Sequence, residues 1–216
     1  MNIAEILLWI GIPTLLYGYL YEYKKHYFRI IGFVLLGIFW VGEAPYFLTI
    51  SDYVNAAMCF SALPLFSYFA YNEYLSERWE EDPEYMKFLA GGVSIGMLIY
   101  FGIQRIPLVS GMLIKIVASK TVVVTDLFGY NFTTSSIHFV GNPLWYRINN
   151  ENIFVSITGS NINIILACTG LQTLAAAGAL LYCTNADKKK KIKSMLLVLP
   201  TIYVANIFRN AIVIYL

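Results

Sequence analysis

The sequence predicts an all-α polytopic membrane protein of about six transmembrane helices, with a small extracytoplasmic amphipathic helix and β-hairpin segment inserted before the last two spans. Three observations carry this. Of 216 residues, 58% are hydrophobic and only 13% charged, about half the charged share of an ordinary soluble domain. Six apolar runs come close to the roughly 20 residues that a helix needs to cross a bilayer. The basic residues gather in two short loops between those runs. A mean hydropathy of +0.63 excludes a soluble enzyme, and a net charge of +2 gives no reason to expect a nucleic-acid partner.

The runs are Ile3–Tyr21, Phe28–Ile50, Tyr53–Tyr71, Phe88–Val109, Asn163–Cys183 and Ser194–Leu216. The start of the chain lacks a basic n-region and a small-residue cleavage site, so the first run is read as a retained membrane helix. Lys24, Lys25, His26 and Arg29 separate the first two spans, and Lys188–Lys191 with Lys193 separate the last two. The positive-inside rule puts both loops in the cytoplasm, which leaves the N-terminus outside. Counting spans from either loop gives the same orientation. The acidic Asn72–Lys87 stretch then falls inside and is read as a solvated linker. Three domains follow: residues 1–109 with four spans, 110–162 outside the membrane, and 163–216 with two spans carrying Cys168 and Arg209.

Within the early spans, Glu43 precedes Pro45 deep in the second run. A carboxyl there is costly unless paired, protonated or placed in a wet cavity, which makes Glu43 a secondary functional candidate. Outside, 110–128 reads as an amphipathic helix on the membrane surface, although Val122–Val124 suits a strand equally. From Tyr130 to Ile164 the pattern turns to Thr, Ser, Asn and β-branched residues. Two short strands around a turn at Gly159–Asn161 are expected to lead straight into the helix of Cys168. Asn131-Phe132-Thr133 matches a glycosylation sequon. His138 and Arg147 are the notable ionisable residues of this segment. Cys59, Cys168 and Cys183 lie far apart in apolar runs, so no disulfide framework is expected, and no metal or cofactor motif is present.

The last span carries Tyr203, Asn206, Arg209 and Asn210, spaced to fall near one helical face. An arginine inside a span costs about 2.5–3.5 kcal/mol on insertion scales, so it needs a reason to be there. At about 1.5 Å per residue, Cys168 lies roughly 8 Å below the outer boundary if its helix starts at Asn163. Arg209 lies roughly 22 Å above the inner boundary of a core about 30 Å thick. The two depths nearly coincide. A thiol beside a cation and a helix N-terminus is an activated nucleophile. Arg209 with Asn206 could alternatively donate to an oxyanion. Arginine itself stays protonated and is no general base.

Ala167-Cys168-Thr169-Gly170-Leu171-Gln172, followed 41 positions after the cysteine by the arginine of Asn206-Ile207-Phe208-Arg209-Asn210, resembles the exosortase/archaeosortase family, more closely its archaeosortase side. The resemblance covers the chain from Leu108 onward. It implies a multi-span cysteine transpeptidase that cleaves C-terminal sorting signals of secreted surface proteins and passes the chain to an amine or lipid acceptor. Secreted substrates and membrane lipids would be its partners, and the site would lie near the extracytoplasmic face of the cell membrane. Cys168 and Arg209 match the family's nucleophile and first basic partner. The family's third functional residue, a later histidine or arginine, has no counterpart before Leu216. The favoured reading is an incomplete chain; otherwise that role is lost, or moved to His138 or Arg147. Two other function classes remain: a small-solute transporter using Glu43 and Arg209, and a non-catalytic scaffold in which Arg209 binds helices together.

Overall fold

The computed structural model describes residues 3–129, 132–138, 145–150 and 161–215. The expected sequon at Asn131 and the first strand and turn of the hairpin at 153–160 lie outside the described residues. Seven helices and three strands are described: α1 (Ile3–Leu20), α2 (Lys25–Thr49), α3 (Tyr53–Arg78), α4 (Glu84–Gln104), α5 (Pro107–Leu127), β1 (Phe132–His138), β2 (Trp145–Asn150), β3 (Asn161–Ile165), α6 (Leu171–Cys183) and α7 (Lys188–Tyr215). Six helices are long and apolar enough to cross a membrane, in agreement with the predicted fold class. Their membership differs from the sequence reading. α5 qualifies by length and composition, whereas α6 has only 13 residues because β3 takes up the start of its apolar run. A strand after the Gly159–Asn161 turn was expected and β3 is found there, but it runs on to Ile165, into residues that the expected span from Asn163 also claimed, because period-two and helical apolar runs are indistinguishable over so few residues.

The chain divides into two compact units, Met1–Leu98 with Tyr182–Asn185, and Ile99–Leu181 with Ala186–Leu216. In the first, α2 packs on α1 and α3. Ala4, Leu8, Gly11, Ile12, Leu15 and Gly18 form the buried stripe of α1, at the three- and four-residue steps of one helix face. The two helices approach closely at Gly32, where an added Cβ would stand 2.7 Å from that of Leu15 and 2.9 Å from its Cα. Glycine there lets the backbones meet, as small residues do in membrane helix pairs. α2 continues through Pro45 to Thr49.

The loop-side end of this unit is held by Arg29, which is fully buried rather than part of a solvated basic loop. Its Nε donates to the Gly18 carbonyl at 2.8 Å, and its Nη1 donates to Glu73 Oε1 at 3.1 Å and Asp82 Oδ1 at 3.0 Å. His26 Nδ1 lies 2.6 Å from the same Glu73 oxygen, and Lys25 pairs with Asp82 at 2.7 Å and Glu22 at 2.5 Å. This corrects the reading of Asn72–Lys87 as a solvated linker. α3 runs on to Arg78, Glu73 is fully buried, and Asp82 is directed at two cations. The acidic stretch thus neutralises the basic one beside it.

Removing one partner of a buried ion pair strands the other, so Arg29→Ala should destabilise the protein by about 3–5 kcal/mol. Thermal unfolding in detergent measures this, and a change within about 0.5 kcal/mol would contradict the buried network. Asp82 adds a pH dependence. Partial burial opposes its ionisation, but hydrogen bonds and charge from Lys25 and Arg29 outweigh that and hold its carboxyl below the usual carboxylate range. A depressed folded-state pKa contributes stability that is complete above the unfolded value of about 3.9 and is lost as pH falls through the folded value. Asp82→Asn should therefore flatten the acid limb of the stability–pH curve below about pH 4. An unchanged limb would remove Asp82 from the account.

Candidate functional site

The second unit is built around the short link between β3 and α6. β1, β2 and β3 form an antiparallel sheet in that order, with Arg147 opposite Asn163 in the β2–β3 register. Ile165 is still extended, and the chain then winds into one 3₁₀ turn, Leu166–Thr169. Thr169 shapes that turn from within: its Oγ1 donates to the Leu166 carbonyl at 2.6 Å and accepts from the Leu171 amide at 3.3 Å. Gly170 follows in the left-handed region at φ 73°. Its carbonyl accepts from the Leu174 amide at 2.9 Å, which starts α6.

Cys168 therefore sits on the 3₁₀ turn before α6, not within the first turns of a helix beginning at Asn163. On α6, Ala175 and Ala179 are buried, whereas Gln172 and Ala176 are exposed. Cys168 is half-buried and packs with Tyr100, Val122 and Leu171 against a core of Ile114, Ala118, Ile164, Leu166 and Ile214. That core joins α5, β3, the 3₁₀ turn and α7.

The last helix holds this turn by its backbone. Asn206 Nδ2 and Asn210 Nδ2 each donate to the Cys168 carbonyl oxygen at 2.8 Å. Two donors one helical turn apart thus converge on one acceptor, which has two lone pairs to offer. Gly170 makes the approach feasible, since a Cβ there would stand 2.9 Å from Asn206 Cγ. Both asparagines are buried. Arg209 lies between them in sequence, so the Cys168 turn is held at the level of α7 that carries the arginine. At about 100° per residue, Arg209 projects about 80° from the mean direction of the two asparagines. It is exposed, and Tyr203 is half-buried, so the predicted four-residue face is a buried asparagine pair with the arginine at its flank.

Eighteen to twenty-two residues of α7 separate Lys188 from these asparagines, a rise of about 27–33 Å that matches a hydrocarbon core. The Cys168 turn and the lysine cluster therefore lie at opposite ends of α7. Of the other candidates, Glu43 is half-buried on α2 in the first unit. His138 ends β1 opposite Trp145, and Arg147 lies on β2. Among the described residues, no three His, Cys, Asp or Glu side chains gather closely enough to hold a metal ion. Sequence reasoning placed Asn210 beside Arg209 and Thr169-Gly170 in the cysteine motif, but missed that these residues build and hold the backbone turn of Cys168. The signal available was an asparagine pair at a four-residue step around an intramembrane arginine.

Fold and site together define a multi-pass helical membrane protein with a thiol-bearing turn tied to its last described helix. The chain belongs to the transmembrane exosortase family, whose profile matches residues 6–216. It is similar to archaeosortase A of Haloferax volcanii, 24% identical over 226 residues that cover 96% of this chain and 70% of that protein. It is also similar to archaeosortase A of Natronomonas pharaonis, 25% identical over 122 residues that cover 56% of this chain and 38% of that one. No solved structure matches it.

Gly170→Ala is the sharpest test of the turn. A left-handed alanine costs about 1–2 kcal/mol before any steric clash is counted. The variant should lose at least that much stability, read by thermal unfolding in detergent. An alanine variant as stable as the parent would mean that the turn and the Asn206 contact are not as described.

Proposed function

We propose that the protein is a membrane-embedded cysteine transpeptidase. In this reading it cleaves C-terminal sorting signals of secreted surface proteins and transfers the released chain to an amine or lipid acceptor. The observation that carries it is the anchoring of the Cys168 peptide by Asn206 and Asn210 on the α7 turn of Arg209, in a chain of the exosortase family.

The chemistry follows from those groups. Cys168 enters as the thiolate, because arginine stays protonated and takes no proton from it. The thiolate adds to the scissile carbonyl, and the charge on the carbonyl oxygen faces the Arg209 guanidinium. Collapse breaks the C–N bond, the departing amine takes up a proton from water, and a thioester on Cys168 remains. Attack by the acceptor then forms the new acyl bond, breaks the C–S bond to free the thiolate, and gives the acceptor's proton back to water.

The side of the membrane follows from α7. With Lys188–Lys193 cytoplasmic by the positive-inside rule, the far end of α7 and the Cys168 turn are extracytoplasmic, and the basic loop of Lys24, Lys25, His26 and Arg29, cytoplasmic by the same rule, puts the N-terminus outside. β3 leads directly into that turn, so the sheet is on the same side, and α5 needs no crossing of its own. This supports the placement of α5 along the outer surface despite its length.

The test is tail processing of a co-expressed secreted protein whose C-terminal signal has a short motif, a membrane helix and a basic tail. Cys168→Ala should abolish processing and Arg209→Ala should reduce it at least a hundredfold, about the loss of one oxyanion donor, with both variants normally inserted. Normal processing by Cys168→Ala would end this reading. A scaffold in which Arg209 only joins helices would instead lose membrane levels on Arg209→Ala, with no substrate accumulating.

A further inference from the structure

We propose that Asn206 and Asn210 are positioning residues for the Cys168 chemistry: together they fix the carbonyl of the nucleophile's own peptide and so set the thiol's position relative to Arg209. The inference rests on the reading of Cys168 as nucleophile and goes beyond it by assigning a role to two residues that touch no reacting atom.

The argument begins with what a helix tie requires. An asparagine in an apolar helix is tolerated when its amide finds a partner, and one such bond suffices to join two segments. Here two amides reach the same oxygen at 2.8 Å each. One donor would leave the Cys168–Thr169 peptide free to rock about a single bond. The second, one turn along α7, removes that freedom and saturates the acceptor.

Three further features serve the same carbonyl. Gly170 has no Cβ where Asn206 approaches, Thr169 closes the turn onto its own backbone, and both asparagines are buried. The acceptor belongs to the one residue of the turn that carries a thiol. Arg209 is the neighbour of Asn210 on the helix that supplies both donors. A shift of the carbonyl is therefore a shift of sulfur against guanidinium, and misplacement of a reacting group by about 1 Å can cost on the order of a hundredfold in rate.

Two donors on one acceptor predict a distinctive mutational pattern. Asn206→Ala and Asn210→Ala should each slow tail processing per inserted molecule by about threefold to tenfold, the weight of one neutral hydrogen bond with its neighbour still in place. The double variant should lose more than the product of the two, because only then is the carbonyl unheld. Asn206→Asp and Asn210→Asp keep the shape without the donor and should behave like the alanines. A second readout separates positioning from mere support: alkylation of Cys168 by an uncharged maleimide in a Cys59→Ala, Cys183→Ala background. The pH midpoint of alkylation should move in the double asparagine variant.

A double variant with the parental rate per molecule and an unmoved alkylation profile overturns the proposal, as do aspartate variants with full activity. Processing that survives Cys168→Ala would instead defeat the nucleophile reading, while an alkylation profile still dependent on the asparagines would show that they hold the residue.

Discussion

One backbone oxygen, that of Cys168, is where the second unit is held together. Inside a bilayer, a polar backbone group has no water to turn to, and irregular backbone persists only where protein satisfies it. The stretch from Ile165 to Gly170 is irregular: extended, then 3₁₀, then left-handed. Asn206 and Asn210 meet its need from outside the segment, and Thr169 meets it from within. The same bonds bring the thiol-bearing residue to the level of Arg209. Satisfying the backbone and assembling the candidate site are thus one event, which explains why a polar helix face persists in so apolar a chain.

The first unit obeys the same rule with charges in place of amides. Arg29 is buried among a carbonyl and two carboxylates, and Glu73 accepts from both Arg29 and His26. A buried ion pair gains little over a hydrophobic pair of similar size, but losing either member is costly. Lys25, His26 and Arg29 and the acidic Asn72–Lys87 stretch belong to a single network. The acidic residues act by proximity: Glu73 and Asp82 neutralise particular side chains, Arg29, His26 and Lys25, instead of forming a solvated stretch.

Membership of the transmembrane exosortase family gives these two networks different standing. The network of Arg29 needs no substrate to account for it: it closes one end of three packed helices. At the Cys168 turn two buried amide donors, with Arg209 beside them in sequence on α7, converge on the carbonyl of a thiol-bearing residue, which is more polar machinery than helix packing requires.

Hydropathy and the positions of basic residues suffice for the membrane class and for spans in the first hundred residues, because lipid imposes composition and length on each crossing element separately. Those rules are local, and a sequence states them outright. Tertiary structure alone decided that α6 begins at Leu171, that Arg29 is buried, and that Asn210 shares an acceptor with Asn206. Each of these depends on a partner from 38 to 53 residues away or on a strand paired with another strand, and apolar periodicity over five residues carries no trace of either.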